Sequence, residues 1–322
     1  MSNYYLTDDQ FIAEWKKFGS PQKFAEQHKM SVRSVYNRRR VLETRLKISL
    51  PTLNDSRYDP LKKLQQTPGH ARRGIEMEKG RVVVFSDAHF WPDEVTTAYK
   101  ALLLIIKEFK PKVIVANGDM FDGSQASRHA RIGWEKTPTV KEELQACQEM
   151  MGGIEKAAVG SGAELIWTLG NHDARFETFL SAQMGTYEGV AGFTLKDHFP
   201  MWKPCWSYWI NEDTCIKHRW KGGFGAGRAN ALNSGVNMVT GHTHNLAVQP
   251  LTDYNGTRYG IQTGCLADPN GEQFMAYTED SPKDWRSGFA LLSFEEGRLM
   301  LPELIQVCGE DAFEFRGCIN RL

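Results

Sequence analysis

The apolar positions of the first 48 residues fall at helical spacing. Phe11, Ile12 and Trp15 line one face of a segment running from Asp8 to Phe18. Ser20-Pro21 supplies an N-cap followed by proline at the first helical position, so a second short helix is expected through Phe24 and Ala25 to His28. Ser31 caps a third helix that carries Val32, Val35, Tyr36 and the run Arg38-Arg39-Arg40. From Leu50 to Gly80 no period is visible, and Pro51, Pro60, Pro68 and Gly69 interrupt the chain; this stretch reads as a linker, or as an arm lying over the next domain.

Near Arg81 the pattern changes to short buried strands alternating with amphipathic helices. Val82-Val83-Val84-Phe85 is a continuous apolar, β-branched run that ends in Ser86-Asp87-Ala88-His89. On an extended backbone, residues two apart point to the same side, so Asp87 and His89 are expected to aim at one point beyond the strand's carboxyl end. A Leu- and Ile-rich helix over Glu94–Lys110 stops at Pro111. The strand Val113–Ala116 follows and runs into Asn117-Gly118-Asp119-Met120-Phe121-Asp122-Gly123. Strand, helix and strand predict a right-handed crossover onto a parallel neighbour. A polar loop with Arg128, His129 and Arg131 leads to a long helix near Lys141–Ala158. A third strand, Glu164–Leu169, then meets Gly170-Asn171-His172-Asp173-Ala174-Arg175. After residue 200 short strands are expected around 206–210, 214–218, 236–240, 259–263 and 289–294, the last turning through Glu295-Glu296-Gly297-Arg298 into a hairpin.

Composition narrows the class. A hydrophobic fraction of 41% suffices for a sizeable core and is too polar for a membrane protein. The longest apolar helical run, Ala101–Ile106, is far shorter than a bilayer span, and Met1–Gln10 has no signal-peptide core. The six cysteines are scattered without a Cys-x-x-Cys pair, which predicts reduced, mostly buried thiols and a cytoplasmic location. The zero net charge hides an asymmetry: residues 1–80 hold 16 Lys and Arg against 9 Asp and Glu, so the arm is net +7 and the remainder −7. A basic arm on an acidic body is expected to contact nucleic acid, unless it is only a solvated basic face.

Two short helices, a tight turn and a basic third helix resemble a helix-turn-helix. Ala25 and Val35 stand where that motif takes a small residue and a buried aliphatic, while Lys29 holds the turn position often given to glycine. Nucleic acid is therefore the expected partner of residues 8–45, against a small packing or oligomerisation module. The strand-end side chains are Asp87, His89, Asp119, Asn171, His218, His242 and His244. The blocks Asp87-Ala88-His89, Gly118-Asp119-Met120-Phe121-Asp122, Gly170-Asn171-His172-Asp173, the isolated His218 and Gly241-His242-Thr243-His244 resemble, in this order, the calcineurin-like metallophosphoesterase superfamily. The resemblance covers residues 81 to about 250. It implies an α/β two-sheet sandwich with βαβ units and a metal site at the strand carboxyl ends. The chain is thus expected to divide into a helix-turn-helix-like helical domain over 1–48, a linker or arm over 49–80 and a metallophosphoesterase domain over 81–322. Helix-turn-helix joined to phosphoesterase also resembles bacteriophage proteins.

Carboxylate, amide and imidazole donors suit divalent ions such as Mn²⁺, Fe²⁺, Zn²⁺ or Ni²⁺, with Mn²⁺ foremost, and the lack of thiolates argues against a structural zinc site. Seven ligands exceed what one ion with an open position takes, but fit two ions sharing a carboxylate. By the resemblance, Asp87, His89 and His244 hold one ion, Asn171, His218 and His242 the other, and Asp119 bridges them, with a metal-bridging hydroxide as nucleophile. His172 would act as general acid on the leaving group, oriented by Asp173 or Asp122, and Arg175 would clamp phosphate. His28, His70, His129 and His198 are read as surface or core histidines. The loop Gly222–Arg228 lacks the Lys and Ser/Thr of a P-loop, which excludes an NTPase of that kind.

Three substrate readings follow. A nuclease or other phosphodiesterase agrees with the basic arm and with Gly118–Gly123, which resembles nuclease subunits of double-strand-break repair more than Ser/Thr phosphatases; those place Arg-Gly where Gly123-Ser124 stands here. A phosphomonoesterase on a small molecule or protein is the main alternative. A DNA-binding protein with a relict phosphoesterase fold is the third, and the intact ligand set counts against it.

Overall fold

The computed structural model describes residues 6–50, 71–127, 137–223, 225–271, 273–274, 278, 281 and 283–322. His70, Arg128, His129, Arg131 and Phe224 lie outside these residues. By its internal contacts the chain divides into two compact units, Met1–Thr67 and Pro68–Leu322.

The first unit holds three helices, α1 (Asp8–Phe18), α2 (Pro21–Gln27) and α3 (Val32–Leu46). Each begins where a hydroxyl satisfies an orphan N–H: Thr7 closes a capping box with Gln10, Ser20 accepts from Lys23, and Ser31 accepts from Ser34. Phe11, Trp15, Phe24, Ala25, Val35, Leu42 and Leu50 form their shared core. Lys29, in the turn between α2 and α3, adopts the left-handed backbone at φ 51° that glycine would take more cheaply. The arginine run is divided by its partners. Arg38 pairs with Asp8 and covers the Phe11 ring, while Arg39 pairs with Glu43 over Trp15. Arg45 also pairs with Asp8. Arg33 and Arg40 remain exposed.

The second unit is two mixed sheets packed face to face. In one, β2 (Gly80–Phe85), β3 (Val113–Ala116), β4 (Glu164–Thr168) and β5 (Lys203–Cys205) run parallel. The connecting helices are α4 (Thr97–Phe109) and α5 (Val140–Ala158). The predicted crossovers are thus present. Strand alternation sorts the apolar residues. Val83, Phe85, Ile114 and Trp167 face the helices, packing on Leu102, Ile105, Ile106, Met151 and Ile154. Val82, Val84, Val115 and Ile166 face the second sheet, meeting Tyr208, Ile216, Val239 and Ile261. Each such side chain contributes about 1.5–3 kcal/mol on burial.

The same sheet continues on its other side through the antiparallel β11 (Gly288–Glu295) to strands of the carboxyl-terminal segment. At the predicted hairpin, Glu296 and Gly297 take φ 50° and 72°, the left-handed pair a two-residue turn requires.

The second sheet contains β1 (Arg72–Ile75), β6 (Ser207–Ile210), β7 (Thr214–Ile216) and β8 (Asn237–Thr240). It is completed by β9 (Leu246–Asp253) and β10 (Gly256–Thr263). Strand β1 corrects the linker assigned to 49–80. Arg72–Ile75 pairs in parallel with Ser207–Ile210, so this unit begins before Arg81. Four residues with two arginines and a glycine carry no strand pattern of their own; the exposed edge of β6 supplies the template. A second correction concerns the glycine loop at 222–228, whose later part opens a helix, Ala226–Ser234. Among the described residues no helix is long and apolar enough to cross a membrane. Cys147, Cys205, Cys215 and Cys265 are buried thiols, and Cys308 and Cys318 are exposed.

Candidate metal centre

The loops after β2, β3, β4 and β8 and the residue pair beyond β7 converge on one place. Asp87, His89 and His244 form one group whose ligand atoms lie within 4.8 Å of one another, and Asp119, His218 and His242 form a second. The two are linked, because the His242 N–H donates to both Asp87 carboxylate oxygens, at 2.9 and 3.1 Å. His218 Nε2 lies 3.0 Å from Asp119 Oδ2, and His244 Nε2 lies 3.2 Å from Asp87 Oδ1.

The route by which Asp87 and His89 reach a common point differs from the extended-strand expectation. Strand β2 ends at Phe85, and the backbone turns left-handed at Asp87 (φ 50°) and again at His89 (φ 40°). Asp119, His242 and His244 are left-handed too, at φ 57°, 68° and 57°. Such conformations cost about 1–3 kcal/mol each in a residue with a side chain. They persist because neighbouring loops over-determine them: the N–H groups of Asp87, His89 and Phe90 donate to the carbonyls of Gly118, Asp119 and Met120. Glycines admit this crowding. A Cβ at Gly118, where φ is 82°, would stand 2.3 Å from the His218 ring, and one at Gly170 would stand 2.0 Å from Asp119 Oδ1.

The donor set fits divalent cations. The carboxylates of Asp87 and Asp119 are buried, each among imidazoles. His89 Nδ1 lies 2.8 Å from an Asp122 carboxylate oxygen and His218 Nδ1 lies 2.7 Å from the Asn117 carbonyl, so both rings carry their proton on Nδ1. His89 Nε2 is then a lone pair, buried without a hydrogen-bond partner, as is Asn171 Oδ1; His218 Nε2 instead faces Asp119 Oδ2 and carries a second proton that a metal ion would replace. Orphaned acceptors of this kind are costly unless something electropositive meets them. His218 is pushed up to about 10: burial alone would lower it, but the Asp119 and Asp87 carboxylates outweigh burial. Asp119 itself is held well below the usual carboxylate range; burial opposes this, and the neighbouring imidazoles, His218 first, prevail. A site that draws a proton onto a buried imidazole is a site arranged for positive charge.

The sequence matches the family model for calcineurin-like phosphoesterases over residues 80–246, just over half of the chain. The protein is a calcineurin-like phosphoesterase. No protein of curated function matches its sequence. Solved structures with some likeness include zinc-bound Vps29 from Entamoeba histolytica, at 12% identity over 74% of this chain and 96% of that one, with a TM-score of 0.38. YfcE, a phosphoesterase from E. coli, is 10% identical over 69% of this chain and 97% of that one, with a TM-score of 0.32.

In this metallophosphoesterase the residues around the ligands divide the supporting work. His172 Nδ1 lies 3.0 Å from the Asp122 carboxylate and 2.9 Å from the Asp122 carbonyl, and its backbone N–H donates to Asp119 Oδ1 at 2.8 Å. His89, Asp122 and His172 thus form a third cluster, with Asp122 between the two rings. Arg175 donates to the Asp122 carbonyl and places Nη2 3.2 Å from His172 Nε2. Of the two carboxylates named as possible partners of His172, Asp122 meets its ring, while the carboxylate of Asp173 is taken up by backbone N–H groups and Trp167.

Asp173, expected among the catalytic residues, is instead buried beneath the loops. Its Oδ2 accepts from the N–H of Asp119 and Gly170 and from Trp167 Nε1; its Oδ1 accepts from Met120 and Phe121. It is a positioning residue, because a carboxylate one residue into a helix can collect the N–H groups of two loops at once.

Two features of this phosphoesterase were not visible in the sequence. Glu143 is buried and accepts from the N–H of Gly123 and Ser124 at 3.1 Å and from the Ser124 hydroxyl, which holds the segment after Asp122. In the sequence it is one more acid in a helix's first turn. Phe274 and Trp285 pack on His244, with ring centroids 5.5 and 4.2 Å away, and Phe274 also meets His89. No local signal distinguishes these aromatics from core residues. His28 and His198, expected to be surface or core, pack on Phe24 and Phe176 respectively.

Proposed function

We propose that this metallophosphoesterase hydrolyses phosphodiester bonds in nucleic acid, using two divalent ions held by Asp87, His89 and His244 and by Asn171, His218 and His242, with Asp119 shared between them. Mn²⁺, which carboxylates suit, is the first ion to test, with Fe²⁺, Zn²⁺ and Ni²⁺, which imidazoles suit, as the alternatives. The ions would supply an acidified water and neutralise charge on the phosphate oxygens. The chain's own residues do the remainder. His172 is placed to hold a proton for the leaving oxygen, with Asp122 fixing its tautomer and orientation. Arg175 offers its guanidinium beside the same ring for a phosphate oxygen.

The observation that carries the nucleic-acid part is the charge arrangement of the first unit. Asp8 and Glu43 are occupied by Arg38, Arg45 and Arg39. The exposed face of α3 is left with Arg33, Tyr36, Asn37 and Arg40, spaced three and four apart and therefore on one side of the helix. Such a face supplies phosphate contacts from its arginines and hydrogen bonds from its tyrosine and asparagine. The test compares Mn²⁺-dependent turnover of bis-p-nitrophenyl phosphate with that of p-nitrophenyl phosphate, followed by single- and double-stranded DNA. Preference for the diester, together with an Arg33→Ala/Arg40→Ala variant whose duplex binding falls less steeply with salt, supports the reading. The log–log slope should drop by about 0.9 for each phosphate that no longer meets an arginine. Preference for the monoester, with wild-type salt dependence in the variant, would favour a phosphomonoesterase.

A further inference from the structure

Immediately after the ligand His218 the chain presents Arg219, Trp220 and Lys221, all exposed. Trp220 keeps 44% of its surface accessible, between two exposed cations and two residues from His218 of the metal centre. Lys221 Nζ lies 5.7 Å from the Trp220 ring centroid, so the aromatic face already sits in a cationic setting.

The segment is anchored. Asn230 is buried, and its side chain serves one purpose: Oδ1 accepts the Lys221 N–H at 3.1 Å, and Nδ2 donates to the Lys221 carbonyl at 3.2 Å. This two-point clamp on the backbone, made from the helix Ala226–Ser234, fixes the far end of the segment. The near end is fixed by His218, whose ring bonds to Asn117. An exposed aromatic held at both ends loses little conformational freedom on binding, which is what a stacking platform needs. Two residues of chain span at most about 7 Å, so Trp220 is within one nucleotide's reach of the metal ligands.

We infer that Arg219-Trp220-Lys221 is the platform for the unpaired nucleotide flanking the scissile phosphate, with Trp220 stacking on its base and Arg219 and Lys221 meeting the phosphates on its two sides. The inference rests on the nucleic-acid reading above and sharpens it. Stacking needs a free base face, which a duplex hides, so the substrate at the metal centre is a single strand or an opened end. Stacking is also tolerant of base identity, because every base has a π-face; the platform therefore selects strandedness and not sequence.

The test uses the 322-residue chain with Mn²⁺ and short single-stranded oligonucleotides such as dT6, beside bis-p-nitrophenyl phosphate. Loss of one base–aromatic stack corresponds to about 5- to 150-fold in affinity. Trp220→Ala should raise KM for dT6 by that factor, so that selectivity for dT6 over the chromogenic diester falls. Trp220→Phe should recover most of it. Trp206, another indole exposed on this unit, gives the control: Trp206→Ala should match wild type on both substrates. Should Trp220→Ala fail to fold, Arg219→Gln carries the test through salt dependence. Its log–log slope of binding to dT6 should fall by about 0.7, the single-strand value for one phosphate contact.

Wild-type KM for dT6 in Trp220→Ala, or an unchanged slope in Arg219→Gln, overturns the platform while leaving the diesterase reading intact. No turnover of any oligonucleotide by the wild type removes the nucleic-acid reading, and the platform with it.

Discussion

Replacing Asp173 by asparagine tests whether this carboxylate belongs to the chemistry or to the architecture beneath it. The carboxylate accepts five N–H groups, three on Oδ2 and two on Oδ1. Asparagine keeps one oxygen. In its better orientation the amide oxygen serves Asp119, Gly170 and Trp167, and the NH₂ group then faces the N–H groups of Met120 and Phe121. Two buried donors lose their acceptor, at about 1–3 kcal/mol each. The three surviving bonds fall from charge-assisted to neutral, which roughly halves them. The sum is on the order of 4–10 kcal/mol, offset in part because burial and the Asp119 charge raise the Asp173 carboxyl to about 6 and the amide removes that buried charge; it is still a large part of the 5–15 kcal/mol typical of a folded domain.

One of the donors is the backbone of Asp119, the carboxylate proposed to be shared between the ions, so metal retention should fall with stability. Urea unfolding followed by tryptophan emission reads the relevant unit, since every tryptophan except Trp15 lies after Pro68. Elemental analysis reads the metal. Asp173→Asn should unfold at markedly lower urea and bind substoichiometric metal. If it kept native stability and full metal content while kcat dropped 100-fold or more, Asp173 would act on the reaction itself and not as a positioning residue.

His172→Ala should retain about two ions per chain while kcat falls roughly 10²–10⁴-fold, the usual contribution of a general acid; Asp119→Asn should lose metal and activity together, and a metal-free His172→Ala would refute the division of roles. Gly118→Ala should displace the His218 ring, since its Cβ would stand 2.3 Å away at a positive φ; full metal content and activity in that variant would contradict the packing account. His218 also gives a pH signature. Its folded value is raised to about 10, so in the metal-free protein its protonated form contributes stability that is complete below about pH 6.5 and is lost as pH rises through 10. Metal must displace that proton, so uptake at pH 8 should release about one proton from His218, measured by calorimetry in buffers of different protonation enthalpy; no proton release would contradict the charge balance of the site.

The βαβ order, the parallel strands and the Asp and His side chains that gather at the strand ends were legible in the chain by itself. Buried strands announce themselves as runs such as Val82–Phe85. A ligand at each strand end is a local fact that repeats down the chain, and helix caps such as Thr7, Ser20 and Ser31 are local too. What could not be read were properties that exist only when distant segments meet. Arg72–Ile75 becomes a strand because β6 offers an unpaired edge, and nothing in those four residues says so. Arg38 and Arg39 look like their neighbours Arg33 and Arg40 until Phe11, Trp15, Asp8 and Glu43 are folded against them.

The metal centre divides in the same way. That Asp87, His89, Asp119, His218, His242 and His244 belong together was written in the motifs. That they reach it through left-handed backbone at Asp87, His89, Asp119, His242 and His244, and not by strand alternation, was decided by hydrogen bonds between loops far apart in the chain. Asp173 sits beside His172 in sequence and beneath Asp119 in space. Adjacency along a chain sets which groups are available, but at the first turn of a helix successive side chains diverge by about 100°, so only packing decides which of two neighbours meets the substrate and which holds the floor.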